Sequence, residues 1–559
     1  MKYQKWNIAD RVSDSVESAL SLPNIESTIL YNRGIDSPEK LQEFLFPQDQ
    51  STNDPFLFED MEKVVKRLSQ ALDNREIIGI FGDFDTDGLS GTAVLTFALQ
   101  SLGSIVFPYI PHRVDEGHGV SLNSIEFFKD RGVSLIITVD CGISSIEEID
   151  LANKLNMETI ISDHHTSVDV VPDAFGVINP SLLGSQYPFQ HLTGVGTAFK
   201  IVEALYSYLN MELPPEIYVF SAFGTLSDVG LMLGENRLLA HKGLQLLRSH
   251  EIIGIDELIR VAGLQKRRIS TQDMSFGLIP RINAPGRLSH ARLSLDLILS
   301  KNSEEAKSFS NEIEELNKQR QVVTETAMNE AYAQIQSQDE SVIFVGKPHW
   351  NPGILGLIAG RLAEEFYKPV IAVSGSGEIL RASARSIPDF NLIQVLDLCK
   401  SFFEKFGGHP MAAGFTIKRD LLKDFREKFN DVSFEFLSNV SKGSTLIVDA
   451  EISPLWLTSE TLGFLESLEP YGKGNPEPTF ITKKFELIDF RQVGNDKKHL
   501  KMTLMFEGRV FDAIAFRQGK RSLEIKNGEF IDVAFKPSIN FWNGKENLEL
   551  IVDDFRLSS

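Results

Sequence analysis

Phe81-Gly82-Asp83-Phe84-Asp85-Thr86-Asp87-Gly88 sets three carboxylates at alternate positions directly after the apolar run Ile77-Ile78-Gly79-Ile80. A β-strand sends alternate side chains to one face, and Gly82 and Gly88 allow the backbone to leave the strand sharply. Three like charges this close repel unless a cation sits among them, and hard oxygen ligands suit Mg²⁺ or Mn²⁺. The alternative for such a loop alone is a solvated acidic turn.

Its company favours the cation site. A second apolar run, Leu135-Ile136-Ile137-Thr138-Val139, ends in Asp140-Cys141-Gly142, and a third, Thr159-Ile160-Ile161-Ser162, ends in Asp163-His164-His165. Segments 121–130 and 145–155 between them read as helices, which predicts parallel strands of one α/β sheet. Ligands bind beyond the carboxyl ends of such strands. All three acidic endings should therefore meet at one edge.

The order Asp-x-Asp-x-Asp-Gly, Val-Asp-Cys-Gly, Asp-His-His resembles the DHH phosphoesterase superfamily, and the rest of the chain is similar to its RecJ branch. The likeness runs on through Pro111-x-Arg113, Glu116-Gly117-His118-Gly119, Gly224-Thr225-Leu226-Ser227-Asp228-Val229, Pro280-Arg281-Ile282-Asn283 and Gly286-Arg287. It continues in Trp350-Asn351-Pro352-Gly353, Ser383-Ala384-Arg385-Ser386, Gly407-Gly408-His409 and the segment Pro470 to Pro478. Three positions depart from the branch's usual pattern. His118 stands where a tyrosine is common, Asn351 replaces a histidine, and Arg381-Ala382 precede Ser383 where a glycine is common.

The resemblance implies two α/β lobes, DHH and DHHA1, joined by a long helix, and a carboxyl-terminal β-barrel of the oligonucleotide-binding (OB) type. The division it suggests is a cover segment at 1–54, expected over the sheet edge, a DHH catalytic domain at 55–302, a connector helix at 303–337, a DHHA1 domain at 338–437 and the barrel at 438–559. The implied activity is that of a single-stranded-DNA-specific 5′→3′ exonuclease releasing mononucleotides with two Mn²⁺ or Mg²⁺ ions. Asp83, Asp85, Asp87, Asp140, His164 and Asp228 would hold the ions, Asp85 and Asp87 occupying the more general superfamily positions. Asp163 would support a ligand, and His165 would either touch a cation or donate to the phosphate. His409 would hold the scissile or a neighbouring phosphate beside Gly407 and Gly408. Arg113, His118, Arg281, Asn283, Arg287, Ser383 and Arg385 would bind substrate, with Ser383 and, through guanidinium fork geometry, Arg113, Arg287 and Arg385 reading a 5′ phosphate; the alternative for these arginines is a structural ion pair between the lobes. A phosphodiesterase for short oligonucleotides or cyclic dinucleotides would share the two lobes but give no reason for a barrel. A non-catalytic scaffold would show broken acidic motifs, and all four here keep their acids.

Composition fits a soluble, multi-domain chain: 559 residues, 42% hydrophobic and 24% charged. Two cysteines, Cys141 and Cys399, make no disulfide framework, and no apolar run approaches membrane-spanning length. A cytoplasmic bacterial monomer is expected. The net charge of −21 opposes a nucleic-acid role at face value, but part of the acid belongs to the cation site, and bases cluster at Lys266-Arg267-Arg268, Lys497-Lys498 and Arg517 to Arg521. Distribution outweighs the sum. A single-strand-binding protein and a RecQ-type helicase are the partners the resemblance implies.

Local pattern carries the remainder. Gly194-Val195-Gly196 opens a predicted helix, and suits close helix packing as well as it suits phosphate binding. Residues 303–336 lack Gly and Pro and recur apolar at helical spacing, which predicts one long helix. After residue 440, short alternating runs predict about five strands, with Phe541, Trp542, Lys501 and His499 as candidates to stack bases and hold phosphates.

Overall fold

The computed structural model describes residues 2–166, 170–335, 341–438, 440, 443–494, 497–542 and 545–558, the side chains of 540–542, 545 and 546 excepted. The chain divides into two compact units, Ser51–Val440 and a second made of Met1–Gln50 with Ser441–Ser559.

The larger unit is organised on the expected sheet. Its parallel strands lie in the order Ile105–Tyr109, Ile77–Gly82, Leu135–Val139, Glu158–Ser162, Gly176–Ile178. The central strands are almost wholly buried and read as continuous apolar runs because helices cover both faces. The helix Thr86–Ser101 leaves the first acidic motif directly. Its small and apolar residues are buried on nearly every side, which fits a core helix without a polar face. Gly82 and Gly88 act here through space, not through unusual dihedrals: a Cβ on Gly82 would fall 1.7 Å from Thr92 Oγ1, and one on Gly88 2.5 Å from the Asp83 carbonyl oxygen.

The helix Ser303–Gln334 is the long one predicted. Beyond it lies a mixed sheet in the order Phe403–His409, Ala412–Lys418, Ile379–Arg385, Val370–Ser374, Ile343–Gly346. The glycine-rich stretch before His409 is one arm of a hairpin. Gly407 pairs with Gly414 and Gly408 with Ala413, and the turn falls at Pro410-Met411.

In the smaller unit the strands Phe480–Val493, His499–Phe506, Arg509–Ala515, Lys545–Leu557 and Phe530–Trp542 follow one another, and the last pairs back onto the first. Five strands thus close a barrel, removing the sheet edges. The alternating residues Leu500, Met502 and Leu504 point into its core. The first fifty residues were expected over the catalytic sheet's edge. They belong to this unit: Lys5–Ile8 runs parallel to Thr445–Val448, and Trp6 Nε1 donates to Asp554 at 2.9 Å. Arg33, its side chain 1% exposed, donates to Asp449 (2.8 Å), Asn475 Oδ1 (3.0 Å), the Ile29 carbonyl (2.6 Å) and the Pro476 carbonyl. That network occupies the motif around residue 475 with structural work. Among the described residues no helix is long and apolar enough to cross a membrane.

Candidate metal centre and anion pocket

Three strand ends and one helix end bring the acids together. Asp83 and Asp85 follow the strand Ile77–Gly82, Asp140 follows Leu135–Val139 with its backbone at φ 61°, and His164 and His165 follow Glu158–Ser162. Asp228 caps the carboxyl end of the helix Pro215–Ser227, so the fourth acidic element is helical. Ligand atoms of Asp83, Asp85 and Asp140, of Asp87, His164 and Asp228, and of Asp140, His164 and His165 form three overlapping groups, each within 4.8 Å. His164 Nε2 lies 3.0 Å from Asp140 Oδ1 and 3.9 Å from Asp228 Oδ2.

The electrostatics of this group ask for positive charge. Burial, then the neighbouring Asp83, raises Asp85 above the ordinary carboxylate range. Burial raises Asp87 and Asp140 much further, helped by Asp140 and Asp228 beside the first and by Asp85 beside the second. Among the described residues Asp83 Oδ1 is buried without a hydrogen-bond donor, and beside Asp140 Oδ1 stands His164 Nε2. Buried carboxylates that repel one another and leave an oxygen unpaired are a donor set fitted to divalent cations.

Several acids are held in place by backbone amides. Asp85 accepts from the amides of Asp87 (2.9 Å) and Gly88 (3.2 Å), capping its helix. Asp87 accepts from Gly194 (2.7 Å) and Val195 (2.9 Å), the first amides of the helix Gly194–Tyr208. The Gly-x-Gly signal therefore marks a carboxylate anchor on a helix terminus, where the dipole favours negative charge. Gly194 is required for closeness: a Cβ there would stand 2.5 Å from Asp140 Cβ. Asp163 accepts from the amides of Ile143 (3.0 Å), His164 (2.7 Å) and His165 (3.1 Å) and pairs with His165 Nδ1 at 2.7 Å. Burial pushes Asp163 up, but the His165 hydrogen bond and charge, with these amides, hold it below the usual range. Partial burial opposes a charged His165, yet Asp163 raises it to about 9. His409 lies parallel to His165, ring centroids 5.7 Å apart.

Beside the acids stands a set of arginines. The Arg113 guanidinium lies 4.6 Å from the centroid of the Phe84 ring, which His118 flanks at 4.4 Å. Phe84, between two candidate ligands, was not singled out in the sequence; it lies just past the strand Ile77–Gly82 and is buried, as Asp83 before it is. The His118 side chain is 71% exposed, with Nδ1 3.2 Å from Asp83 Oδ2. Arg385 Nη1 donates to Ser383 Oγ (3.1 Å) and the Ala384 carbonyl (2.9 Å), and Arg287 Nη1 to the Gly353 carbonyl (3.1 Å). Burial lowers Arg113 and Arg385, and takes Arg287 down to about 9, with Arg113, Arg320 and Arg385 adding repulsion.

Two predicted substrate residues are occupied otherwise. Arg281 donates to Glu314 (2.6 Å) and the Gly277 carbonyl (2.6 Å), and Asn283 Oδ1 accepts the Thr86 amide (3.1 Å), fixing the start of that residue's helix. On the barrel, Lys501 lies 3.6 Å from Glu549, and His499 packs edge-on against the half-exposed Phe516. The side chains of Phe541 and Trp542 lie outside the described residues. A separate cavity of about 690 Å³, lined by Thr52, Glu203, Tyr218 and Lys242 among others, contains none of the candidate site residues.

Family models match the chain in three places: the DHH family, N-terminal domain, over residues 77–225, the DHHA1 domain over 339–433 and the RecJ OB domain over 448–554. Fold and site together define the class, a DHH-type phosphoesterase with an added OB domain. The chain is 36% identical to the single-stranded-DNA-specific exonuclease RecJ of Bacillus subtilis, covering 99% of this chain and 71% of that one. It is 31% identical to the Escherichia coli exonuclease of the same name, covering 99% of each. The crystal structure of Thermus thermophilus RecJ in complex with Mn²⁺ matches with a TM-score of 0.84 at 26% identity, covering 99% of this chain and 80% of that one. The chain belongs to the RecJ family.

Proposed function

We propose that this chain hydrolyses single-stranded DNA from its 5′ end, releasing 5′-mononucleotides with two divalent cations, Mn²⁺ or Mg²⁺, in recombination and repair. The observation that carries it is the pairing of a largely buried, self-repelling carboxylate and histidine centre with nearby arginines, of which Arg287 and Arg385 hydrogen-bond only neutral groups among the described residues. Asp83, Asp85, Asp87, Asp140, His164 and Asp228 would hold the cations. When bound, these supply Lewis acidity at the scissile phosphate and lower the pKa of the attacking water.

The chain's own residues do the rest. The Gly194 and Val195 amides keep Asp87 facing the centre, and Asp163 fixes the ring of His165 through Nδ1, leaving Nε2 for a cation or a phosphate oxygen. His409, stacked beside it, would hold a neighbouring phosphate. Arg113, Arg287, Ser383 and Arg385 would grip the terminal 5′ phosphate, which sets the direction of attack. The RecJ OB match supports a polymer substrate over a short one. A bacterial, cytoplasmic monomer that works with a single-strand-binding protein and a RecQ-type helicase belongs to the same reading, as does the assignment of 55–302 as the catalytic domain.

The test is a time course on end-labelled single-stranded DNA with Mn²⁺ or Mg²⁺ against the same strand as a blunt duplex, with Asp140→Ala as control. Mononucleotides from the 5′ end of the single strand alone, lost in the variant, are the expected result. Survival of long DNA while short oligonucleotides or a cyclic dinucleotide are hydrolysed would keep the metal chemistry and overturn the substrate.

A further inference from the structure

We propose that the arginine pocket accepts a phosphate chain longer than one phosphate, the di- or triphosphate of a 5′ end, with Arg320 holding its outer phosphates. This rests on the reading of Arg113, Arg287, Ser383 and Arg385 as the site for the 5′ end. The argument is one of charge and order.

Asp83 and Asp85 attract Arg113, and Asp85 also attracts Arg287. Arg113, Arg320 and Arg385 repel Arg287, and Arg361 and Arg281 repel Arg320. The acids thus act on Arg113 and Arg287, whereas Arg320 meets the charge of other arginines. The elements that carry them pack on one another: the helix Ile279–Leu288 against Ser303–Gln334, and Leu355–Phe366 against both Ser303–Gln334 and the strand Ile379–Arg385.

Not all of this charge is available. Arg281 is met by Glu314 at 2.6 Å, and Arg361 has a partner of its own. Among the described residues Arg287 and Arg385 bond only carbonyl and hydroxyl oxygens. Arg320 donates through Nη2 to Asn317 Oδ1 at 2.8 Å, while its Nε is buried without a hydrogen-bond partner. Burial and the nearby arginines lower Arg320, as expected of a cation awaiting an anion. A terminal monophosphate brings about two negative charges, fewer than Arg113, Arg287, Arg385 and Arg320 together can neutralise. Each further phosphate adds charge and oxygens on the side where Arg320 stands. A planar fork with an unused N–H suits that contact.

The measurement is the affinity of the full chain carrying Asp140→Ala, in Ca²⁺, for one 3′-labelled strand ending in a 5′ hydroxyl, monophosphate or triphosphate. The triphosphate end should bind about tenfold more tightly than the monophosphate, roughly one charge-assisted contact. In Arg320→Gln that ratio should fall to about one, and Arg320→Lys should restore part of it, separating lost charge from lost fold. Free nucleoside triphosphate as competitor separates the two carriers of such a chain. Displacement of the monophosphate strand by the triphosphate but not by the monophosphate nucleotide extends the site to free nucleotides, and absence of displacement restricts it to strand ends; both sustain the proposal if the Arg320 ratio holds. Equal affinity for triphosphate and monophosphate ends in the parent overturns it. So does an Arg320→Gln variant that weakens all three ends alike, which would make Arg320 a contact to the strand's backbone. Equal binding of monophosphate and hydroxyl ends would instead overturn the reading of the 5′-end site beneath it.

Discussion

Gly194→Ala places one methyl group where the structure has no room for it. The added Cβ would lie 2.5 Å from Asp140 Cβ and 2.6 Å from its Cγ and Oδ1, against an ordinary contact beginning at 3.4 Å. The shortfall of about 0.9 Å must be met by moving Asp140 or by withdrawing the amides that hold Asp87 at 2.7 and 2.9 Å. Either movement displaces a candidate ligand by close to 1 Å, a misplacement that can cost about 100-fold in rate. The fold should survive, since overpacking costs about 1–3 kcal/mol and alanine returns up to about 1 kcal/mol of helix propensity. Gly196 supplies the control two residues along. A Cβ there meets only the Leu192 and Thr193 side chains, at 3.2 Å or more. Single-turnover degradation of single-stranded DNA at several Mn²⁺ concentrations, with melting curves, decides the matter. The expected pattern is a loss of about 100-fold with weakened apparent metal affinity in Gly194→Ala, and a change within about threefold in Gly196→Ala. Comparable activity in the two variants would refute the reasoning.

Mn²⁺ at a fixed concentration about one hundred times its Kd near pH 8 should raise the melting temperature there by the equivalent of about 2.7 kcal/mol, and by less at the same concentration near pH 5.5. The sign follows from Asp85, Asp87 and Asp140: their folded-state values lie above the ordinary range, so the folded protein binds more protons than the unfolded one and loses stability as pH rises through the raised values, a loss the cation offsets. A metal-induced shift that is flat with pH would count against those carboxylates as ligands. Asp163→Asn should lower turnover tenfold or more, because an amide cannot accept all four hydrogen bonds and leaves a buried donor unpaired at about 1–3 kcal/mol; turnover near the parent's would remove Asp163 from any orienting role. Arg33→Ala should destabilise the smaller unit by about 3–5 kcal/mol by stranding Asp449, read as a lowered melting transition, and an unchanged transition would show that the network contributes little.

The features legible in the sequence were local ones. Apolar runs ending in acids gave the central strands and their common edge, because strand direction and helix cover follow from short-range pattern. The 303–336 segment read as a helix because nothing in it breaks one, and the barrel strands read from alternation. What escaped depended on partners far along the chain. Spacing could not say whether the amides at Gly194 met a phosphate or Asp87, since that depends on a contact across 107 positions. Gly407 and Gly408 stand out in the sequence only as glycines beside a histidine, and that they form a hairpin arm rests on pairing with Gly414 and Ala413. Arg281 sits in a motif that the sequence marks for substrate and Arg320 in none, yet it is Arg281 that Glu314 occupies.

The smaller unit is assembled from both ends of the chain, with residues 51–440 intervening. During synthesis the strand Lys5–Ile8 therefore emerges long before Thr445–Val448, its only pairing partner among the described residues. The intervening unit can collapse as soon as it is made, since domains generally fold as they emerge. The first fifty residues must wait, and Trp6 and Arg33 remain without the partners that finally bury them, Leu446 and Val448 for the first and Asp449 and Asn475 for the second, until the carboxyl-terminal part is made. A chain stalled once residues 51–440 have emerged, but before the barrel strands are made, would thus hold a finished larger unit behind an unfinished leading segment, the stage at which a chaperone would find this chain most exposed.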